Sequence, residues 1–443
     1  KSELEKILPI LCDEMGLGKT VQMLSVVCED KPGSKTLVVL PKTLVRQWAE
    51  ETSTFTNLRF HMFENKNQDK FDQNEYDIVF ATYNSFHSQE CKLFSFEWDR
   101  LILDEGHMIR NPKTIAYKNL STLLACNGPK WILTGTPIFN SQADMVSLLH
   151  FVGFERSYVR HNLLLCQREY VLRRTREDIA KISERLVLPD CEIRNVEIDA
   201  YPIEKEHYKR VFQNQVQEIE FAEKWKQNMV ILESILRTRQ ASIHPHVFDP
   251  EIELENIYHS SAKIDTLVSM IMRHPSEKTI VFCHFKKEIR LVKEHLVRTG
   301  KYSDEDVLCM HGDLNTHIRS ELFDKFKTEA KVLVIQIQIG GVGLNLQEAT
   351  RIYMLSPSWN PATELQAIAR AHRTGQTQKV HVKRLIYSDM DEFPSIDKVL
   401  IDLQQQKSCI TAKVLEDERL KCKLPSMVTN MDMKAFARFF MGI

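Results

Sequence analysis

The residues with the clearest chemical potential lie near the start of the chain. Asp13-Glu14-Met15-Gly16-Leu17-Gly18-Lys19-Thr20 precedes an apolar, helix-like stretch beginning near Val21. Two glycines let the backbone curl so that successive N–H groups face a polyphosphate, and the following helix N-terminus adds its positive end. In such a loop Lys19 reaches the β- and γ-phosphates and the Thr20 hydroxyl completes a Mg²⁺ shell. The strict Gly-x-x-x-x-Gly-Lys-Ser/Thr pattern is broken, because Asp13 stands at the first glycine position. Alone, the motif does not separate a phosphate loop from a Gly-rich turn capping an ordinary helix.

A second group of residues separates them. At 101–107 the run Leu-Ile-Leu-Asp-Glu-Gly-His reads as an apolar strand ending in adjacent carboxylates. Such a strand delivers Asp104 to the Mg²⁺ region and Glu105 to a water facing the γ-phosphate, making Glu105 the natural general base. An isolated Asp-Glu pair is usually a polar turn; together with Lys19 and Thr20 it points to nucleotide hydrolysis, with ATP and Mg²⁺ as the expected ligands.

The elements that must position these groups follow from composition and pattern. The 443 residues, 43% hydrophobic and 27% charged, suffice for two or three well-packed domains and argue against disorder or a small disulfide scaffold. A formal net charge of −1 excludes a globally basic polyanion binder but not a local basic cleft. Ten cysteines are scattered without any Cys-x-x-Cys, which fits a reducing compartment and argues against zinc modules. Apolar runs are strand-length and residues 1–20 lack the sections of a signal peptide, so a soluble intracellular protein without membrane contact is expected.

Short β-branched runs at 36–40, 77–81, 100–103 and 130–133, and again at 278–283, 307–310, 331–335, 351–355 and 380–386, alternate with helix-like stretches. This is the pattern of buried parallel strands in βαβ units, and it predicts two α/β domains. Between them the character changes. Residues 204–240 are charged and Gly-free, with Tyr208, Phe212, Val216 and Ile219 at helical spacing, predicting one long helix or two.

With these pieces in place, the chain resembles the Swi/Snf family of DNA-dependent ATPases within helicase-like superfamily two. The matching segments run in the family's order: 13–20, 37–48, 103–107, 133–137, 261–267, 281–285, 340–346 and 366–376. The string Ser358-Trp359-Asn360-Pro361 followed by Gln366-Ala367-Ile368-Ala369-Arg370-Ala371-His372-Arg373-Thr374-Gly375-Gln376 is the most specific of them. Compactness and divergent motifs look like the baculoviral global transactivator subgroup, with the wider group containing transcription-termination-type ATPases as the nearest competitor.

The resemblance implies an α/β fold of two RecA-like lobes, each a mainly parallel sheet flanked by helices, with a helical insertion between them. It implies lobe one at 1–150, a helical bridging region at 151–261, lobe two at 262–407 and a C-terminal helical segment at 408–443. It implies that 13–20, Gly343 and Gln366 line the nucleotide site, and that Arg370 and Arg373 reach the γ-phosphate, where guanidinium stabilises charge on the transferring oxygens. Duplex DNA is the implied substrate surface, contacted by Lys42, Thr43, Arg46 and Thr82 in lobe one and by His284, Lys286, Lys287, His311 and Arg319 in lobe two. Cations, hydroxyls and N–H groups at strand ends suit phosphates and read no sequence. Trp48 is expected in the core, and His244 and His246 in a structural segment.

Three departures from the family pattern stand out. Gly106 replaces the usual alanine, which is expected to add backbone freedom; Ser356 stands where an acidic residue is common; and the segment that usually holds adenine does not precede the phosphate loop. No RING insertion joins the lobes. The function implied is ATP-driven translocation on duplex DNA with remodelling or displacement of bound proteins, in transcription or chromatin regulation in the nucleus (the host nucleus for a viral chain). A strand-separating DNA or RNA helicase and a non-catalytic DNA-binding transcription scaffold are the alternatives.

Overall fold

A computed structural model describes residues 9–66, 71–88, 90–123, 129–135, 142–182, 188–223, 226–249, 261–340, 346–373, 375–414, 436 and 438–441. The chain divides into two compact units, 1–187 with 410–420 and 188–409 with 421–443. Each is built on one sheet in which every described strand pairing is parallel.

In the first unit the strands are β1 (Ile10–Leu11), β2 (Thr36–Leu40), β3 (Phe60–Met62), β4 (Ile78–Thr82), β5 (Arg100–Asp104), β6 (Lys130–Leu133) and β7 (Val171–Leu172). They lie in the order β3-β4-β2-β5-β6-β1-β7. β2 and β5 are buried at every residue, as central strands covered on both faces must be. Register decides where chemistry can gather. Asp104 pairs with Leu133, Leu133 with Leu11, and Leu11 with Leu172. The chain therefore leaves four neighbouring strands at one edge, the edge where ligands bind in open parallel sheets.

The second unit holds β8 (Cys191–Ile198), β9 (Thr279–Cys283), β10 (Val307–Met310), β11 (Val332–Gln336), β12 (Arg351–Met354) and β13 (Val380–Tyr387), ordered β10-β11-β9-β12-β13-β8. The expected bridging region 151–261 does not form a layer of its own. Helices Arg156–His161 and Leu163–Tyr170 and strand β7 belong to the first unit, whereas β8 and helices Pro202–Phe221 and Gln227–Ala241 belong to the second. The charged alternation of 191–198 hid an edge strand, since polar residues on an edge are what keep it from pairing further. Tyr208, Phe212 and Ile219 point into the core as their spacing requires. The segment expected from 408 begins inside helix Ile396–Val414; residues 415–435 lie outside those described. Among the described residues no helix is long and apolar enough to cross a membrane.

A buried polar network fastens these helices to the second sheet. Lys263 and Asp397, both removed from solvent, pair at 2.5 Å. Asp397 also accepts from the Tyr387 N–H (3.0 Å), and the Tyr387 hydroxyl donates to Glu204 at 2.7 Å. Glu204 in turn accepts the N–H groups of Tyr201 (2.9 Å) and Ala262 (3.2 Å). Helices Pro202–Phe221, Ala262–Met272 and Ile396–Val414 are thereby joined to β13, and breaking one member would strand a buried charge.

His244 is buried and caps the short helix Pro245–Phe248, its Nδ1 accepting the His246 N–H at 3.1 Å. Burial, aided by His246, His295 and His207, pushes its pKa down to about 3. The unfolded chain takes up a proton at the ordinary histidine pKa, which the native chain refuses until about pH 3. Stability therefore falls as pH drops below about 6.5, by roughly 1.4 kcal/mol per pH unit from this group. His244→Asn keeps a capping acceptor that does not titrate, so denaturant unfolding at pH 7 and pH 5 should show a smaller loss than in the parent chain.

Candidate functional site

The phosphate loop leaves β1, curls through Gly16 (φ 87°) and Gly18 (φ 71°), and enters helix Lys19–Cys28. Lys19 Nζ donates to the carbonyls of Asp13 (2.7 Å) and Glu14 (3.3 Å), so the amine lies within the curl. Burial lowers the Lys19 pKa; the charges of Glu105, Asp104 and Asp13 oppose the shift. Thr20, half-buried, follows in the helix's first turn.

At the end of β5 Asp104 is held on both carboxylate oxygens. The buried Trp48 indole N–H donates to Oδ2 at 2.8 Å, and the Glu105 N–H donates to Oδ1 at 2.8 Å. The Tyr83 hydroxyl donates to the Asp104 carbonyl at 2.8 Å. Burial, then the charge of Glu105, raises the Asp104 pKa to about 6 against these bonds and Lys19. Two carboxylates forced together at a buried edge form a donor set short of positive charge, which fits an oxygen-seeking divalent cation. Trp48 is thus core, as expected, and its polar edge orients the expected metal ligand.

Glu105 adopts φ 48°, ψ 48°, a left-handed conformation uncommon outside glycine, and its carboxylate lies 3.2 Å from His107 Nδ1. Held strain of this kind aims a side chain away from the path an ordinary strand end would take. Gly106 does not supply that freedom. Its own φ is not positive; a Cβ there would lie 2.3 Å from Ile132 Cγ2, so glycine is required for space against β6. Gly135, just after β6, similarly lets the next loop press on Met15, where a Cβ would fall 2.7 Å from Cγ. Residues 136–137 lie outside those described.

The register row brings one further group that the sequence pattern did not single out. Beyond β7, Arg174 grips Asp13: Nη2 reaches Oδ2 at 2.5 Å, Nε reaches Oδ1 at 3.1 Å, and the Arg174 backbone N–H reaches Oδ1 at 3.0 Å. Arg176 donates its N–H to Glu14 Oε2 (2.9 Å) and its Nη2 to the Met15 carbonyl (2.8 Å). The legible signal is the dense run Arg173-Arg174-Thr175-Arg176-Glu177-Asp178 after apolar Val171-Leu172.

In the second unit Gln366, Arg370 and Arg373 are half-buried on and just after helix Pro361–Ile368, and the Arg370 carbonyl accepts the Leu346 N–H at 3.0 Å. Gly343 falls outside the described residues. Of the expected nucleic-acid contacts, Lys42, Thr43, Arg46 and Lys287 are exposed, Arg46 pairing with Glu50 at 2.7 Å, while Thr82 Oγ1 lies 3.3 Å from Ser85 Oγ. Lys286 pairs with Asp313 at 2.5 Å, His311 lies 3.8 Å from the same carboxylate, and Arg319 donates to the Gly312 carbonyl at 2.6 Å. His284 departs from its expected role. Its ring is buried, with Nε2 3.3 Å from the Ser356 carbonyl, and its N–H caps onto Glu288 at 2.7 Å. Burial drives its pKa well down, so it packs the strand end as a neutral group and presents no charge to a phosphate.

A family model described as the SNF2-related domain matches residues 5–161, and one described as the helicase conserved C-terminal domain matches 262–375. The chain belongs to the Swi/Snf family. It is 29% identical to the probable global transactivator of Orgyia pseudotsugata multicapsid polyhedrosis virus, over 92% of this chain and 86% of that one. It is 26% identical to the CHD3-type chromatin-remodeling factor CHR7 of Arabidopsis thaliana and 23% identical to the ISWI chromatin-remodeling complex ATPase ISW1 of Saccharomyces cerevisiae. It spans only 36% and 40% of those two Swi/Snf relatives. Among solved structures it is similar to the Sulfolobus solfataricus SWI2/SNF2 ATPase core in complex with dsDNA, at 25% identity, with 96% of this chain and 94% of that chain covered and a TM-score of 0.42.

The contact between Gly106 and Ile132 generates a test. Gly106→Ala should cost about 1–3 kcal/mol by overpacking and should lower ATP turnover by displacing Glu105. Adding Ile132→Ala opens the space and should recover turnover, although the cavity leaves the double variant less stable than the parent. Turnover and denaturant midpoints of the two variants check both effects.

Proposed function

We propose that the protein is a DNA-dependent ATPase that translocates on duplex DNA and remodels or displaces bound proteins in the nucleus. The observation that carries this reading is the register row Asp104–Leu133–Leu11–Leu172, which gathers the phosphate loop and the carboxylate pair at one sheet edge. The backbone N–H groups of the loop and Lys19 hold the triphosphate. Thr20 and Asp104 would hold Mg²⁺, which when bound neutralises charge on the β- and γ-phosphate oxygens. Glu105 takes the proton of the attacking water, and Arg370 and Arg373 supply guanidinium charge to the transferring phosphoryl group.

Support for duplex DNA comes from exposed Lys42, Thr43, Arg46 and Lys287, with Thr82, Lys286, His311 and Arg319 at or near strand ends. These groups suit phosphates, so binding should be nearly indifferent to sequence and steeply weakened by salt. The relatives named for chromatin remodelling and transactivation support the same direction.

The central test is ATP turnover with and without duplex DNA. The parent chain should be stimulated by duplex, Lys19→Ala should lose turnover, and Glu105→Gln should bind ATP without hydrolysing it. Normal turnover in Glu105→Gln removes the general-base assignment, and a flat, near-zero parent rate in both conditions favours a DNA-binding scaffold. Displacement of a triplex strand without separation of a plain duplex is the expected signature of translocation; separation of the duplex indicates a helicase instead.

A further inference from the structure

We infer that Arg174 is a positioning residue of the nucleotide site, acting through Asp13 to hold the phosphate loop in its receiving curl. This rests on the proposed nucleotide site and adds to it a group 161 positions away in the chain. At the first position of a phosphate loop glycine lets the backbone turn freely, whereas here the position carries Asp13, whose side chain is almost fully buried. A buried carboxylate must be satisfied by its neighbours, and those neighbours determine where the loop begins.

They are arranged as a clamp. The planar guanidinium of Arg174 engages both Asp13 oxygens, and its backbone N–H adds a third bond. Gln22 joins the clamp from the following helix: Nε2 donates to Asp13 Oδ2 at 3.1 Å and to the Leu17 carbonyl at 2.9 Å, while Oε1 accepts from Arg174. One side chain thereby ties the first residue of the curl to its far limb. Backbone bonds continue the β1–β7 pairing beyond the strands, from the Cys12 N–H to the Leu172 carbonyl (2.7 Å) and from the Glu14 N–H to the Arg174 carbonyl (2.9 Å). The Asp13 and Glu14 carbonyls that receive the Lys19 amine are therefore fixed from behind. A bidentate guanidinium supplies direction as well as charge, which an ammonium does not.

The test reads nucleotide binding directly. The parent chain, Arg174→Ala, Arg174→Lys and Gln22→Ala are titrated with ADP carrying a fluorescent N-methylanthraniloyl group, and thermal unfolding is followed on the same preparations. Arg174→Ala should weaken binding about tenfold or more and Arg174→Lys should recover only part, because the fork is lost. Gln22→Ala should weaken it about threefold, with a melting temperature near the parent's. A residue that merely glued the sheet edge would lower the melting temperature and leave affinity unchanged. Affinity within about twofold of the parent in folded Arg174→Ala, or in Gln22→Ala where Arg174→Ala does not fold, overturns the inference. A parent chain that binds ADP but never hydrolyses ATP would remove the ATPase reading and leave this one standing.

Discussion

Parallel pairing in register across β5, β6, β1 and β7 is the constraint on which the candidate site's geometry depends. Parallel strands end together, and their carbonyl ends release four loops at one edge without any contact between those loops being needed to bring them there. What the loops then do is set by very local chemistry: positive φ at Gly16 and Gly18, a left-handed Glu105, and glycines at 106 and 135 where no Cβ can fit. The two kinds of control are distinct. Pairing brings the groups to one edge, and close packing aims them.

The carboxylates at that edge show how aim and charge are linked. Asp104 is locked by an indole N–H and by the next residue's own N–H, yet burial and Glu105 still hold its pKa near 6. A site built this way attracts cations, and Lys19, drawn into the curl, is the one already present. In the second unit the same physics is used for a different end. Lys263, Asp397, Tyr387 and Glu204 satisfy one another away from solvent and fasten three helices to one strand. Exposed ion pairs such as Lys286–Asp313 contribute little to stability by comparison.

Much of this was legible in the amino-acid order. Nine strands were readable, most of them because central parallel strands are buried on both faces and so are written as nearly unbroken apolar runs. The glycine-rich loop, the Asp104–Glu105 pair and the arginine-bearing helix were readable because each joins particular residue types at short spacing. Four strands escaped. β1 and β7 are two residues long, β3 is three, and β8 carries charges because it lies at an edge. The first three are too short to bear a pattern, and the pairing of all four depends on neighbours distant in the chain.

Sequence alone thus determined the kinds of groups present: a lysine-bearing loop, paired acids, two arginines, and the helix-and-strand alternation that carries them. Tertiary structure alone decided which side chains face solvent and which serve as scaffold. It turned His284 inward, made Trp48 a support for Asp104, and brought Arg174 onto Asp13 across 161 positions. The reason is physical: residue type sets what a side chain can bond, but burial and register, which arise only when distant strands pair, set what it does bond.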